Sequence, residues 1–390
     1  MRLTGGWGRT ILAGALALAA AATPVIAEAA PTTGTPGSVI GVDPKPAGFH
    51  GLSGGSVIDY WMTGSDGAPR RASGALFVPP GRAPAGGWPI MAYDHGTSGL
   101  GSGCGGMSAP GPMAGENSAQ DQLLQYFVSK GFAVVAPDYL GLGRFDTGPH
   151  PYLERRTEAT STIDLVRAAR AANSALSRTW VVTGTSQGGQ AALGAGHLQR
   201  TYAPDLDFRG TITIDPESDL EAVLPAGGPW VSEVPGVGGD ATTAFIAMTL
   251  VGLRETHPEA NVDSYLSPRG REVLDSAGAL CLPGIVKQVR GASIGDLLSR
   301  QLTTPSFQAA LDSYMAVPTS GYNAPILLLT NVTDNVIPPP FHAALAAQFV
   351  ANGVDFRAVV GKGKHCELNP QMYAAMDAFV ARVHATPTRP

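Results

Sequence analysis

The chain has 390 residues, room for one large α/β domain with an insertion or for two ordinary domains. Its 44% hydrophobic and 15% charged content is that of a folded globule and excludes a disordered chain. A formal charge of −5, with no basic run and no basic amphipathic stretch, points away from nucleic acid as a partner. Residues 1–27 read as a signal peptide. Arg2 and Arg9 precede an apolar stretch over 11–22, and Val25-Ile26-Ala27 offers a small-residue cleavage site, with Ala27-Glu28-Ala29 as a second. The apolar stretch is short for a membrane span. The expected mature protein is exported, extracellular or periplasmic, and soluble; a retained N-terminal anchor is the alternative.

A Pro/Gly/Thr-rich arm is expected to about residue 46. Strands are then predicted at 57–62, 75–78, 89–93, 133–137, 179–183, 210–214, 326–330 and 356–360. Five of these, beginning at 89, 133, 179, 210 and 326, are unbroken apolar runs, as parallel strands buried on both faces require. Helical periodicity falls between them at 117–130, 157–173, 187–202, 341–351 and 371–383, with Ser118 as a cap for the first. The alternation predicts a mostly parallel central sheet with helices on both faces. Between 217 and 322 the alternation stops. Short helical stretches at 242–253, 270–280, 294–302 and 305–315 predict a helical cap inserted over the sheet. The expected division is therefore a core of 47–216 and 323–385 with a cap of 217–322.

The run Gly184-Thr185-Ser186-Gln187-Gly188 stands between an apolar strand and a helix. That context makes it a nucleophile elbow, in which the serine sits on a strained turn and the flanking glycines admit close backbone packing. A serine hydroxyl needs a base, and the base needs a carboxylate. In this architecture they follow the serine in the order acid, then histidine. Asp334 lies in the loop past the strand 326–330, and His365 lies in the loop past the strand 356–360. Asp215, after the strand 210–214, is the second candidate acid. One oxyanion donor is expected from the Gln187 N–H. The other is expected from the loop 93–99, where Thr97 is the candidate and Gly96 allows the tight turn. His95 precedes the serine, the wrong order for the base, and reads as structural. The three cysteines, Cys104, Cys281 and Cys366, allow three single pairings and show no metal-ligand spacing. Neither metal nor cofactor is expected.

Four motifs in order carry a resemblance. They are Tyr93-Asp94-His95-Gly96-Thr97-Ser98-Gly99, Ala136-Pro137-Asp138-Tyr139-Leu140-Gly141-Leu142-Gly143, Gly148-Pro149-His150-Pro151-Tyr152-Leu153, and the elbow with its helix to Leu193. Together the chain from about 46 to 383 resembles the secretory lipases of the α/β-hydrolase superfamily, the group similar to Candida antarctica lipase A. The resemblance implies an α/β-hydrolase fold, cofactor-free carboxylic-ester hydrolysis, a lid or cap, and secretion. It carries Ser186, Asp334 and His365 as a triad and leaves Asp138 and Tyr139 to shape the edge of the site. Feruloyl esterases and tannases clamp serine to histidine with cysteines; Thr185 before Ser186 precludes that here. Cys104 is expected to pair with Cys281, with Cys281–Cys366 as the rival.

The expected activity is an acyl-enzyme esterase or lipase acting on short- to medium-chain esters, the short Gly/Pro-rich cap arguing against long chains. A small-molecule or lipid ester is the expected partner, with transient contact to a lipid interface and no partner protein. Two alternatives stand beside it. One is an aminopeptidase of the same fold, using Glu217, Asp219 and Glu221 to hold a substrate amine. The other is a catalytically silent binding protein.

Overall fold

Every residue of the runs 133–137 and 326–331 is buried, a condition that only a strand covered on both faces meets. The computed structural model describes residues 34–109, 118–232 and 239–387; the expected signal peptide lies outside them. The strands are β1 (Val39–Pro44), β2 (Ser56–Thr63), β3 (Pro69–Phe77), β4 (Trp88–Asp94), β5 (Ala133–Pro137), β6 (Leu176–Thr185), β7 (Asp207–Ile214), β8 (Ile326–Asn331) and β9 (Phe356–Gly361). The helices are α1 (Ala119–Ser129), α2 (Arg155–Ala172), α3 (Gln187–Tyr202), α4 (Leu220–Val223), α5 (Asp240–Thr256), α6 (Pro268–Ala277), α7 (Leu282–Gln288), α8 (Pro305–Met315), α9 (Pro339–Ala351) and α10 (Pro370–Ala385).

The strands form one sheet in the order β1-β2-β3-β5-β4-β6-β7-β8-β9. The first three are antiparallel to their neighbours, and β4 to β9 run parallel. This is the mixed, mostly parallel sheet of an α/β-hydrolase, as expected. The two-residue period of β4 divides the core. Ile90 and Ala92 pack with Ile163 and Val166 of α2 and with Ala192 of α3. Met91 and Tyr93 pack on the other face with Phe127 of α1 and with Met376 and Phe379 of α10. Helix ends obey local chemistry. Ser118 accepts the Asp121 N–H at the start of α1, Ser267 accepts the Gly270 N–H in α6, and Thr304 accepts the Phe307 N–H in α8.

Two elements depart from the sequence reading. The expected arm contains β1, which pairs with β2 and extends the sheet by one strand. The expected helix at 294–302 is a single 3₁₀ turn, Gly295–Leu297, followed by an extended bridge from Leu298 to Leu266. A short helix, α7, stands just before it.

The helical stretch between β7 and β8 has its own apolar core, including Leu250, Leu274, Leu297, Phe307 and Leu311. That core takes in Leu100, Tyr152 and Leu153 from loops at the C-terminal edge of the sheet. The Tyr314 hydroxyl donates to the Tyr152 carbonyl at 2.6 Å. A disulfide joins Cys104 to Cys281, the expected pair, and Cys366 is free. The described residues form one compact unit, this helical stretch included. Among the described residues no helix is long and apolar enough to cross a membrane.

Candidate active site

Ser186 sits between the end of β6 and the first turn of α3 with φ 57° and ψ −122°. Non-glycine residues hold such backbone only when their surroundings force it. The flanking glycines show how. A Cβ on Gly184 would come within 2.0 Å of the Gly188 carbonyl oxygen, and a Cβ on Gly188 within 2.0 Å of the Asp94 carbonyl oxygen. The Ser186 N–H donates to Ile214 O of β7, and the Ser186 carbonyl accepts from Gly189 and Gln190 of α3. The side chain is left at the edge of the sheet, 9% exposed.

Asp334 and His365 come from the loops after β8 and β9, and their side chains meet. The Asp334 Oδ2 to His365 Nδ1 distance is 2.7 Å. The other Asp334 oxygen accepts the N–H groups of Val336 and Ile337 at 2.8 and 3.0 Å. Burial alone would raise the Asp334 carboxyl. The His365 bond and the two N–H groups outweigh it and hold the group below the usual carboxylate range. Burial likewise pulls His365 down, but Asp334 and the adjacent Cys366 sulfur raise it above its ordinary value. His365 Nε2 is buried and has no hydrogen-bond partner among the described residues. The serine and histidine segments converge on one carbonyl. Ile214 O, which accepts the Ser186 N–H, also lies 3.9 Å from Cys366 Sγ.

Asp215, the second candidate acid, is otherwise engaged. It accepts from Asn331 N, Asn331 Nδ2 and Cys366 N at 2.7, 2.8 and 2.7 Å. It ties the ends of β7 and β8 to the histidine loop. Asp138 accepts the Met107 and Ser108 N–H groups and the Ser73 hydroxyl, and the Tyr139 hydroxyl donates to His95 O. His95 is fully buried, with Nδ1 2.7 Å from the Gly96 carbonyl oxygen and Nε2 3.3 Å from that of Asp138.

The two candidate oxyanion donors flank the serine. Gln187 is the first residue of α3, so its N–H has no partner within the helix. A Cβ at Gly96 would lie 3.8 Å from Ser186 Cβ, which brings the 95–99 loop alongside the nucleophile. Thr97 Oγ1 and the Tyr152 hydroxyl, 3.0 Å apart, fix that loop.

Beneath the elbow is a polar cluster that sequence reasoning missed. Gln187 Nε2 donates to Glu158 Oε1 at 2.6 Å and to His150 Nε2 at 2.8 Å. His150 Nδ1 donates to Leu140 O, which leaves Nε2 as the acceptor. Burial pushes Glu158 up to about 8 and His150 down to about 4, so both are neutral near pH 7. The motif 148–153 hinted at His150; nothing local marks Glu158, whose role exists only once α2 packs beneath α3.

Between this edge and the helical stretch lies a cavity of about 270 Å³, bordered by Tyr152, Leu153, Glu217, Leu224, Ile337 and Phe341 among others. Of the three acids proposed to hold an amine, only Glu217 reaches it. Neither Asp219, which accepts from Gln348 Nε2 at 2.8 Å, nor Glu221 borders it.

This geometry stands alongside likenesses to known proteins. The chain is 28% identical over 263 residues to Lipase A of Arthroderma benhamiae, covering 63% of this chain and 52% of that protein. It is 25% identical over 234 residues to the secreted triacylglycerol lipase LIP4 of Malassezia globosa, covering 57% and 48%. A protein of Mycobacterium tuberculosis described as a probable inactive lipase is 24% identical over 312 residues, covering 76% and 66%. The chain thus spans about half to two thirds of the length of these relatives. Among solved structures, Candida antarctica lipase A matches with a TM-score of 0.70 at 18% identity, over 91% of this chain and 84% of that one. The rice cell wall degrading esterase LipA from Xanthomonas oryzae matches at 0.65 and 18%, over 90% and 98%. At such identity these matches establish the fold. The sequence model of the secretory lipase family matches residues 115–389, 275 of the 390 residues; the chain belongs to the secretory lipase family.

Proposed function

We propose that the protein is an exported serine carboxylic-ester hydrolase working through an acyl-enzyme on Ser186. The observation that carries this reading is the Asp334–His365 hydrogen bond, 2.7 Å long, beside a strained serine at the same edge of the sheet. An ionised Asp334 keeps a proton on His365 Nδ1, so that loss of the proton on Nε2 leaves the lone pair that acts as base. No hydrogen bond joins Nε2 to the Ser186 hydroxyl; in catalytic sites such bonds commonly tighten only when substrate arrives.

In the proposed cycle His365 Nε2 takes the Ser186 proton as Oγ attacks the ester carbonyl. The N–H groups of Gln187 and Thr97 hold the oxyanion, each worth roughly 3 kcal/mol in the transition state. His365 then protonates the departing alcohol. Water, deprotonated by the same imidazole, attacks the acyl-enzyme and releases the acid. The helical stretch 217–322 acts as the cap, and residues 1–27 direct export. The cavity falls below the roughly 300–1,000 Å³ of drug-sized sites, which favours short- to medium-chain esters over long ones.

Hydrolysis of p-nitrophenyl butyrate by wild type and Ser186→Ala tests the reading. The expected result is turnover by wild type and a loss on the order of 10⁶-fold in the variant. Equal rates contradict it. No turnover of any ester by wild type would favour the silent binding protein; the mycobacterial relative is described as a probable inactive lipase.

A further inference from the structure

An apolar cavity rarely keeps a lone carboxyl without use for it. The wall of the 270 Å³ cavity is built from leucine, valine, isoleucine, phenylalanine, proline and small residues, with the Tyr152 and Thr242 side chains as further polar members. Among the described residues, Glu217 is the one bordering it that carries a carboxyl. It is 5% exposed, and no hydrogen bond reaches its carboxyl from any described residue. Its position is set by the backbone. Glu217 follows Asp215 and Pro216 directly after β7, and its N–H donates to the Ser186 carbonyl at 3.3 Å. The side chain therefore borders the cavity from a residue whose backbone is bonded to that of the nucleophile. Burial pushes it up to about 7, with His365 opposing that rise, so below that pH the neutral carboxyl can both donate and accept.

We propose that Glu217 forms a polar subsite that selects esters carrying a hydroxyl group on the chain that fills the cavity. The inference rests on the ester-hydrolase reading for its chemistry and on the cavity for its selectivity. A plain alkyl chain entering the cavity displaces water from the carboxyl and returns no hydrogen bond, which leaves a buried polar group unsatisfied. A hydroxyl placed against Glu217 restores the bond. Sites built to bond a substrate hydroxyl discriminate against analogues that lack it for this reason. The alternative occupant, an ammonium group, would surrender its hydration to a largely apolar wall for a single carboxyl that is half protonated near neutrality, and the observations favour it less.

The test compares p-nitrophenyl hexanoate with its β-hydroxy, ω-hydroxy and β-amino analogues, using wild type, Glu217→Gln and Glu217→Leu. Wild type is expected to favour a hydroxy ester in kcat/KM by roughly ten- to a hundredfold. Glu217→Leu should erase that preference, and Glu217→Gln should keep part of it. A ratio unchanged in Glu217→Leu overturns the proposal, as does a preference for the amino ester. Binding of methyl hexanoate and methyl β-hydroxyhexanoate to Ser186→Ala, measured by calorimetry, gives the same ratio without turnover. If esters are hydrolysed but neither ratio depends on Glu217, the subsite fails and the hydrolase reading stands. If no ester is hydrolysed but the binding preference depends on Glu217, the hydrolase reading fails and the subsite stands.

Discussion

Ser186 holds a positive φ that costs a non-glycine residue about 1–3 kcal/mol, and Asp215 and Cys366 beside it do the same. Strain gathered where three loops meet is expected of a site whose geometry matters more than its local stability. Asp334 is the side chain through which the base can be probed. Replacing it with asparagine should lower kcat by about 10⁴-fold by removing control of the tautomer. Asp334 raises His365, so its loss should also move the acid limb of the kcat/KM profile to lower pH. A limb that stays in place would show that His365 is not the titrating base. Glu158 allows a separate test by stability. Its folded-state pKa lies near 8 against an ordinary value of 4.5, so between about pH 4.5 and pH 8 the unfolded chain binds fewer protons there than the folded one. Glu158 therefore favours the fold below that window and progressively less as pH rises through it. The Tm difference between Glu158→Gln and wild type should shift in favour of the variant across the window; a constant difference would contradict the assignment. Little of this cluster was legible in the sequence, because Glu158 and Gln187 are brought together only by the packing of two helices.

At the scale of elements, the buried strands were legible because β5 and the first four positions of β8 are apolar and had to be covered on both sides. β1 was not. It is half exposed at the edge of the sheet and owes its form to pairing with β2 rather than to its own pattern. In the stretch 294–302, Ile294, Leu297, Leu298 and Leu302 fill the helical core, and their spacing mimics that of a helix although the backbone is irregular. The placement of Ser186, Asp334 and His365 was readable because each follows a strand, whereas the position of Glu217 depends on the turn after β7. Two predictions belong here. A Cβ on Gly188 meets the backbone oxygen of Asp94, at the end of β4, so Gly188→Ala should cost at least a hundredfold in esterase activity together with a lower Tm. An active, equally stable variant would show that the turn is not held by that contact. The Cys104–Cys281 bond spans 177 residues, and a chain-entropy account assigns such a closure roughly 5 kcal/mol. Replacing both cysteines with serine should lower Tm, and reductant should lower the wild-type Tm but leave the variant's unchanged.

The whole molecule is a sheet whose C-terminal edge carries the candidate chemistry, with a helical stretch that borders a small apolar cavity beside it. Its family membership agrees with the ester chemistry proposed, and the size of the cavity makes a prediction about range. Turnover should peak among butyrate to octanoate esters and fall steeply by palmitate; a maximum at palmitate would mean that the helical stretch opens far beyond the state described. All of this depends on one serine being a nucleophile. The direct measurement is the mass of the protein after exposure to a fluorophosphonate, with the modified peptide sequenced. A single adduct on Ser186, absent from Ser186→Ala and much reduced in a His365→Ala variant, is the expected result. An unmodified Ser186 in a folded protein, or an adduct on another residue, would contradict the account.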